Sequence, residues 1–391
     1  MSKTDVVDRA RSSRFIRTGH ASAPSIDSDF QRLKEALGPA PLSLIILFIS
    51  PSSDREMVSE LFVEAFPDIP VIGCTTAGEI SDAGYTDGEI LAIGFPAEHF
   101  AARVQFIEAL DDLDRSAIAR KTSELRNQLE GAAADWENEF ALLLVDGLSM
   151  MEDQLVSVLS PALGPVGMIG GSAGDGLSFE NAFVLYNGAF FQNAAVMAIV
   201  RTSCGISLFQ FDHLRPTNKK MVVTEASPKE RLVHEINAEP AAREYARIVG
   251  IDPEQLSPFV FAAHPVVVQI GEQHHVRAIQ RVMPNGDLKF FSAIDEGVVL
   301  TTAEPRDIVE HLDESLQRLR RRGEPASILA CDCILRRIEA EKSQAVGAMS
   351  RMLSANHVVG FSTYGEQMKS VHVNQTLTGV AIYPPEEKVD R

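Results

Sequence analysis

A short pattern occurs three times along the chain, and this repetition restricts the fold more than any other feature. Residues 71–79 read Val-Ile-Gly-Cys-Thr-Thr-Ala-Gly-Glu, residues 168–175 read Met-Ile-Gly-Gly-Ser-Ala-Gly-Asp, and residues 358–366 read Val-Val-Gly-Phe-Ser-Thr-Tyr-Gly-Glu. The shared form is two apolar residues, Gly, any residue, Ser or Thr, one or two more, Gly and an acid. Each copy follows an apolar run (42–50, 141–146 and 327–334) and precedes another (90–95, 194–200 and 377–383). From the first large apolar residue of the run to the motif glycine the separations are 31, 28 and 32 residues. Runs this apolar suit strands buried on both faces. The stretch after the first run, 54–66, reads as a helix capped by Ser52, Ser53 or Asp54. The chain therefore holds at least three related strand–helix–strand units. Crossovers of this length allow parallel pairing, which makes the fold class α/β, in layered mixed sheets.

Between the second and third copies the pattern changes. Short strands are expected at 207–211 and 221–224, a helix at 230–249 interrupted at Glu239 and Pro240, and strands at 259–261, 266–270, 276–279 and 288–291. Asn285 and Gly286 form a strong hairpin signal. A further helix is expected at 306–321. The expected organisation is an N-terminal arm at 1–29, holding at most an edge strand at 15–19, followed by a domain at 30–215 and a second at 216–391. The boundary falls within 202–225.

With 391 residues, 45% hydrophobic and 23% charged, the chain can bury cores of ordinary size. Its 54 acidic against 36 basic residues give a net charge of −18, a field that disfavours nucleic acid. The first twenty residues carry five basic side chains and no apolar core of a secretory signal. The longest apolar run is far short of the roughly 20 residues of a membrane span. Four cysteines make no disulfide framework. A cytoplasmic location is expected, with no membrane span.

The candidate sites follow from residue type and setting. Gly170, Gly171, Ser172 and Gly174 belong to the most glycine-dense copy, a loop whose free N–H groups suit phosphate or carboxylate; repetition equally favours a purely structural turn. Residues 170–174 also spell GxSxG, yet Asp175-Gly176-Leu177-Ser178 is a poor helix start and the sister copies lack the pattern. Cys74 has no evident base, so no catalytic residue is assigned and no enzyme is expected. Cys331 and Cys333 sit two apart on a strand, on one face, as buried thiols or weak metal ligands. Seven of the ten histidines follow residue 230. His264 stands between apolar runs, where a neutral imidazole can be a core residue or a metal ligand; His234, His274 and His275 are further candidates. Arg318, Arg320, Arg321, Arg322, Arg336 and Arg337 form the main basic cluster, either a solvated helix end or a docking surface.

Residues 71–80, 169–179 and 360–367, followed by Asn374, Gln375 and Thr376, resemble the FIST family of bacterial sensory proteins over nearly the whole chain. The resemblance implies tandem FIST N and FIST C domains that sense small ligands and signal to partners. Cys331-Asp332-Cys333-Ile334-Leu335-Arg336-Arg337 is similar to the NosP subgroup of haem-based nitric-oxide sensors. That likeness implies haem b, nitric oxide as the signal, and regulation in trans of a sensor histidine kinase or a cyclic-di-GMP enzyme (diguanylate cyclase or phosphodiesterase), since the chain carries no kinase, GGDEF or EAL pattern. The iron ligand would be His264, with Phe259, Phe261, Val266 and Val268 lining the pocket. The alternatives are a haem-free FIST sensor binding an amino acid or other small anion at residues 170–176, and a ligand-free adaptor docking through residues 318–337. A homo-oligomer is compatible with each.

Overall fold

The computed structural model describes residues 15–270 and 273–385; residues 1–14, half of the expected arm, lie outside it. The repeat is longer than the motif spacing suggests. Each unit runs edge strand, helix, central strand, helix, motif strand, hairpin, return strand. The first has its edge strand at Arg17–Ser22, central strand at Leu42–Ile49, motif strand at Val71–Thr75 and return strand at Glu89–Pro96. The second uses Phe100–Ile107, Asn138–Asp146, Gly167–Ala173 and Ala195–Thr202. The third uses Gly205–Phe211, Ser327–Cys333, Val358–Thr363 and Leu377–Tyr383. Residues 15–29 are thus the first edge strand and the start of the helix Ile26–Leu37, and the third unit begins before the expected boundary at 215.

In every unit the central and motif strands pair in parallel, and the return strand pairs antiparallel on the other side. The register is the same three times: Leu47 faces Gly73, Leu143 faces Gly170 and Ala330 faces Gly360. A Cβ on any of these glycines would strike the carbonyl oxygen of its partner, which explains why the motif requires glycine there. The helix between the strands supplies the crossover. In the first unit it is Arg55–Ala65, and Asp54 caps it by accepting from the Glu56 and Met57 amides.

The hairpins do not stay with their own units. The first unit's hairpin, Glu79–Ser81 and Gly84–Thr86, extends the third unit's sheet through Ile80 and Gly360. The third unit's hairpin, Glu366–Met368 and Val371–Val373, extends the second sheet through Gln367 and Gly170. The second unit's hairpin, Val184–Tyr186 and Ala189–Phe191, extends the first sheet through Leu185 and Gly73. The exchange closes a ring, giving three six-stranded mixed sheets related by a pseudo-threefold axis. Their inner faces share one core that includes Phe48, Leu142, Leu144 and Leu329, with Phe48 stacked on Phe361 at 4.3 Å. Their outer faces carry their own helices.

An insertion of residues 214–305 separates the third edge strand from its helix, Ile308–Arg320. It is a curved antiparallel sheet backed by the helix Ala241–Val249. Two expectations fail here, the first in part. Of the helix expected over 230–249, the part after the break at Glu239 and Pro240 is present as Ala241–Val249, but the part before it is a strand at Leu232–Ile236 and a turn with Asn237 and Ala238 at positive φ. The strand expected at 259–261 is the helix Pro258–Ala263, because Pro258 takes the first helical position, where its missing N–H costs nothing. The Asn285-Gly286 hairpin is present, joining Ile279–Val282 to Leu288–Phe290. The insertion caps the motif turns: Phe291, Ala262 and Val276 pack with Ala77, Tyr364, Leu335 and Phe179.

Candidate functional site

The motif turns meet around the pseudo-threefold axis, and their amides are already committed. The Thr75, Ser172 and Ser362 N–H groups donate to the carbonyls of Phe183, Gly365 and Gly78, each on another unit. The Gly174 and Gly176 amides donate to Thr75 and Thr76, and the Asp175 amide to the Tyr364 hydroxyl. Phe361 packs over Gly171, and the Tyr364 ring covers Gly174. The loop even holds its own anion, because the Asp175 carboxylate accepts from the Phe179, Glu180 and Asn181 amides. Gly170, Gly171 and Ser172, expected in a loop, are therefore residues of the motif strand Gly167–Ala173, and Gly174 follows it in a turn whose amides are used, so the four form no open cradle. Ser172 is fully buried in a strand, with no helix following it; its hydroxyl donates to Glu152 at 3.3 Å and accepts from Gln367 at 3.1 Å.

The extra loop that follows Asp175, residues 176–183, carries Phe179 to the insertion and helps frame a cavity of about 220 Å³. Its walls are Gly147, Leu148, Met150 and Phe179 from the second unit, and Arg231, Gln280, Arg281, Lys289, Phe290 and Phe291 from the insertion. Three cations face this space, with no acidic side chain among the described residues that line it. Arg281 and Lys289 are direct partners across the Asn285-Gly286 hairpin, a like-charge pairing that destabilises a ladder unless an anion joins it. Arg231 lies behind them, 4% exposed, donating to the Phe291 carbonyl and to the Glu152 carboxylate. The Lys289 ammonium reaches only neutral acceptors, the Glu230 carbonyl and the Met150 sulfur. Burial, together with Arg231 and Arg281, lowers its pKa. Three cations thus share one cavity in a protein of net charge −18.

The residues expected to hold haem are spread over the helix Pro258–Ala263, its C-terminal cap and the strand Val266–Ile270. Phe259 and Phe261 fall on the helix Pro258–Ala263 where a strand is expected. On a helix, positions two apart point about 200° from each other, and Phe259 is 48% exposed while Phe261 is buried against Tyr245. Val266 is packed in the same core as Phe261. His264 caps the end of the helix Pro258–Ala263, and its carbonyl accepts from the Tyr245 hydroxyl at 2.6 Å. Its ring is half-buried and lines none of the cavities described here.

The other candidates are accounted for locally. His234 lies on a strand between Ser227 and Asp287, at 2.9 and 2.7 Å. His274 and His275 line a separate polar cavity with Asp212 and Lys369. Cys331 and Cys333 are fully buried, which pushes both thiols up and keeps them protonated. Among the described residues no group of three or more His, Cys, Asp or Glu could hold a metal ion. The basic cluster is not one surface. Arg318, Arg320, Arg321 and Arg322 are exposed, but Arg336 is wholly buried between Asp332 and His213, and Arg337 pairs with Asp87.

Reading by motif passed over Arg231, Arg281 and Lys289, which are distant in sequence and share no spacing. Counting outward from Asn285-Gly286 as a two-residue turn would set Lys289 against Val282; the loop has three residues, 284–286, and only that register sets Lys289 against Arg281.

Among the described residues no helix is long and apolar enough to cross a membrane. Compared with known proteins, residues 43–239 match the FIST N domain and residues 241–369 the FIST C domain. The join between the two matches falls inside the insertion. An uncharacterised protein of the archaeon Methanocaldococcus jannaschii is 26% identical over 232 residues, which cover 56% of this chain and 43% of that protein. The chain thus spans less than half the length of that relative. With the two domain models together covering most of its length, the chain belongs to the FIST family, whose domains serve sensory signal transduction.

Proposed function

We propose that this chain is a sensory protein whose stimulus is a small organic anion, held between the insertion and the second unit, and whose response passes to a partner enzyme. The observation that carries this reading is the facing pair Arg281 and Lys289, with Arg231 behind them, on one cavity. A carboxylate there accepts charge-assisted hydrogen bonds and relieves the repulsion between the cations. It also competes with Glu152 for Arg231. Glu152 in turn holds Ser172 in the second motif, and Ser172 holds Gln367 in the hairpin lent by the third unit. Binding therefore acts on groups that join the insertion to two of the three units. Such an anion separates two states only if it binds them with different affinity.

The test is thermal unfolding of the purified chain with small organic anions at constant ionic strength. A ligand at about 100 times its Kd stabilises by about 2.7 kcal/mol, a rise of several degrees in Tm. The rise should vanish in Lys289→Met. A chain that responds to no anion, or a response unchanged by that substitution, would remove this reading.

The haem and nitric-oxide reading keeps one favourable observation: burial, Lys342 and Lys219 lower the His264 pKa, favouring the neutral imidazole that ligates iron. A haemin titration decides it. Stoichiometric uptake lost in His264→Ala would restore that reading, along with a histidine kinase or cyclic-di-GMP enzyme as partner.

A further inference from the structure

The cavity has a lining of two unlike kinds, and the contrast says more about its ligand than the charge does. Beside the cations the lining is largely apolar, from Leu148, Met150, Phe179, Phe290 and Phe291, with the Met150 sulfur against the Lys289 ammonium. Phe179 is held there at some cost, since its backbone lies in the left-handed region (φ 55°), rarely adopted by a bulky residue. The Asp175 carboxylate fixes its amide at 2.8 Å, and Tyr364 fixes its ring by stacking at 4.4 Å. Its ring centre lies 5.9 Å from that of Phe291. Strain kept by surrounding contacts is characteristic of functional positions, and here it presents an aromatic wall to the cavity.

The charges argue against a polyanion. Glu152 already neutralises Arg231 and, with Asp153, makes the first turn of the adjoining helix acidic. That turn is where a phosphate would otherwise find favourable dipoles. Arg281 and Lys289 remain, a pair that one carboxylate can bridge. The volume of about 220 Å³ is below the roughly 300–1,000 Å³ of sites for drug-sized ligands, which leaves room for a single ring and its acid.

Building on the anion-sensor reading, we propose that the ligand is an aromatic monocarboxylate, its carboxylate between Arg281 and Lys289 and its ring against Phe179 and Phe291. Quadrupole and area effects then favour an aromatic ring over water at that wall.

Calorimetric titration of the full chain with phenylacetate, acetate, phenylacetamide, succinate and inorganic phosphate tests this. Phenylacetate should bind at least about tenfold tighter than acetate, which lacks the ring, and at least about tenfold tighter than phenylacetamide, which lacks the charge. Lys289→Met should bring phenylacetate to the level of phenylacetamide. Phe179→Leu should bring it toward acetate and leave acetate unchanged; Leu148→Ala, at an apolar lining residue that does not touch the cations, does the same in part and serves if the first variant does not fold. Tighter Lys289-dependent binding of succinate or phosphate would overturn the aromatic class and leave the anion sensor standing. Binding of none of the five would overturn both.

Discussion

Glu79 and Glu366 close the motif in the first and third units, and both carboxyls are buried with raised pKa values, Glu79 to about 7. The main cause is burial, which disfavours the charged form; for Glu79, hydrogen bonds from the Thr76 hydroxyl and the Glu89 amide offset only part of it. The fold therefore favours protonated Glu79. That stability is complete below pH 4.5 and is lost as pH rises through 7, and a displacement from 4.5 to about 7 corresponds to about 3 kcal/mol. Glu366 acts in the same direction. In Glu79→Gln, denaturant unfolding between pH 5 and 7.5 should show a flatter decline than the parent chain; an unchanged slope would mean the carboxyl ionises freely in the fold. The Glu152–Arg231 ion pair, 2% and 5% exposed at its side chains, behaves oppositely to a surface bridge. Glu152→Ala strands a buried guanidinium and should cost about 3–5 kcal/mol, while the double change Glu152→Met with Arg231→Met should recover most of it. Melting curves of the three variants measure both effects.

At the level of elements, one steric rule recurs in all three units. The motif glycine passes so close to the neighbouring central strand that no Cβ fits between them. Gly73→Ala, Gly170→Ala and Gly360→Ala should each force the strands apart and lower stability by about 1–3 kcal/mol, read as a fall in the denaturant midpoint. Gly131 is the contrasting case. It lies in the helix Arg115–Ala132 with nothing near its missing Cβ, so Gly131→Ala should stabilise by about 0.5–1 kcal/mol. The central strands were legible because burial on both faces writes an unbroken apolar run. The strand Leu232–Ile236 was not, because its two buried residues, Val233 and Ile236, stand three apart, the spacing of an amphipathic helix. At Phe259 the apolar composition suggested a strand, and Pro258 decided for a helix.

Across the whole molecule, each sheet is completed by a strand pair from another unit, so no unit is self-sufficient. A fragment of residues 1–215 keeps the hairpin Glu79–Ser81 and Gly84–Thr86 but loses the Val358–Thr363 strand it pairs with. Fragments 1–215 and 216–391 should each lack a cooperative calorimetric transition, and co-expression should restore one. Two independent transitions from the separate halves would contradict the ring. The cavity lined by Arg231, Arg281 and Lys289 belongs to the same scale, since its cations come from the insertion and one of its three aromatic rings, Phe179, from the second unit's extra loop.

By itself the sequence determined what depends on neighbours along the chain: three repeated units, their buried parallel strand pairs, the glycine that lets those strands close, and the Asn285-Gly286 turn. Periodicity and turn chemistry act over a few residues, so they can be read without a fold. Tertiary structure alone decided which unit receives each hairpin, that the motif amides are spent between units, and that Arg231 joins Arg281 and Lys289. Those outcomes follow from contacts between segments far apart in sequence. Hydrogen-bond completion and burial can be judged only when both partners are in place.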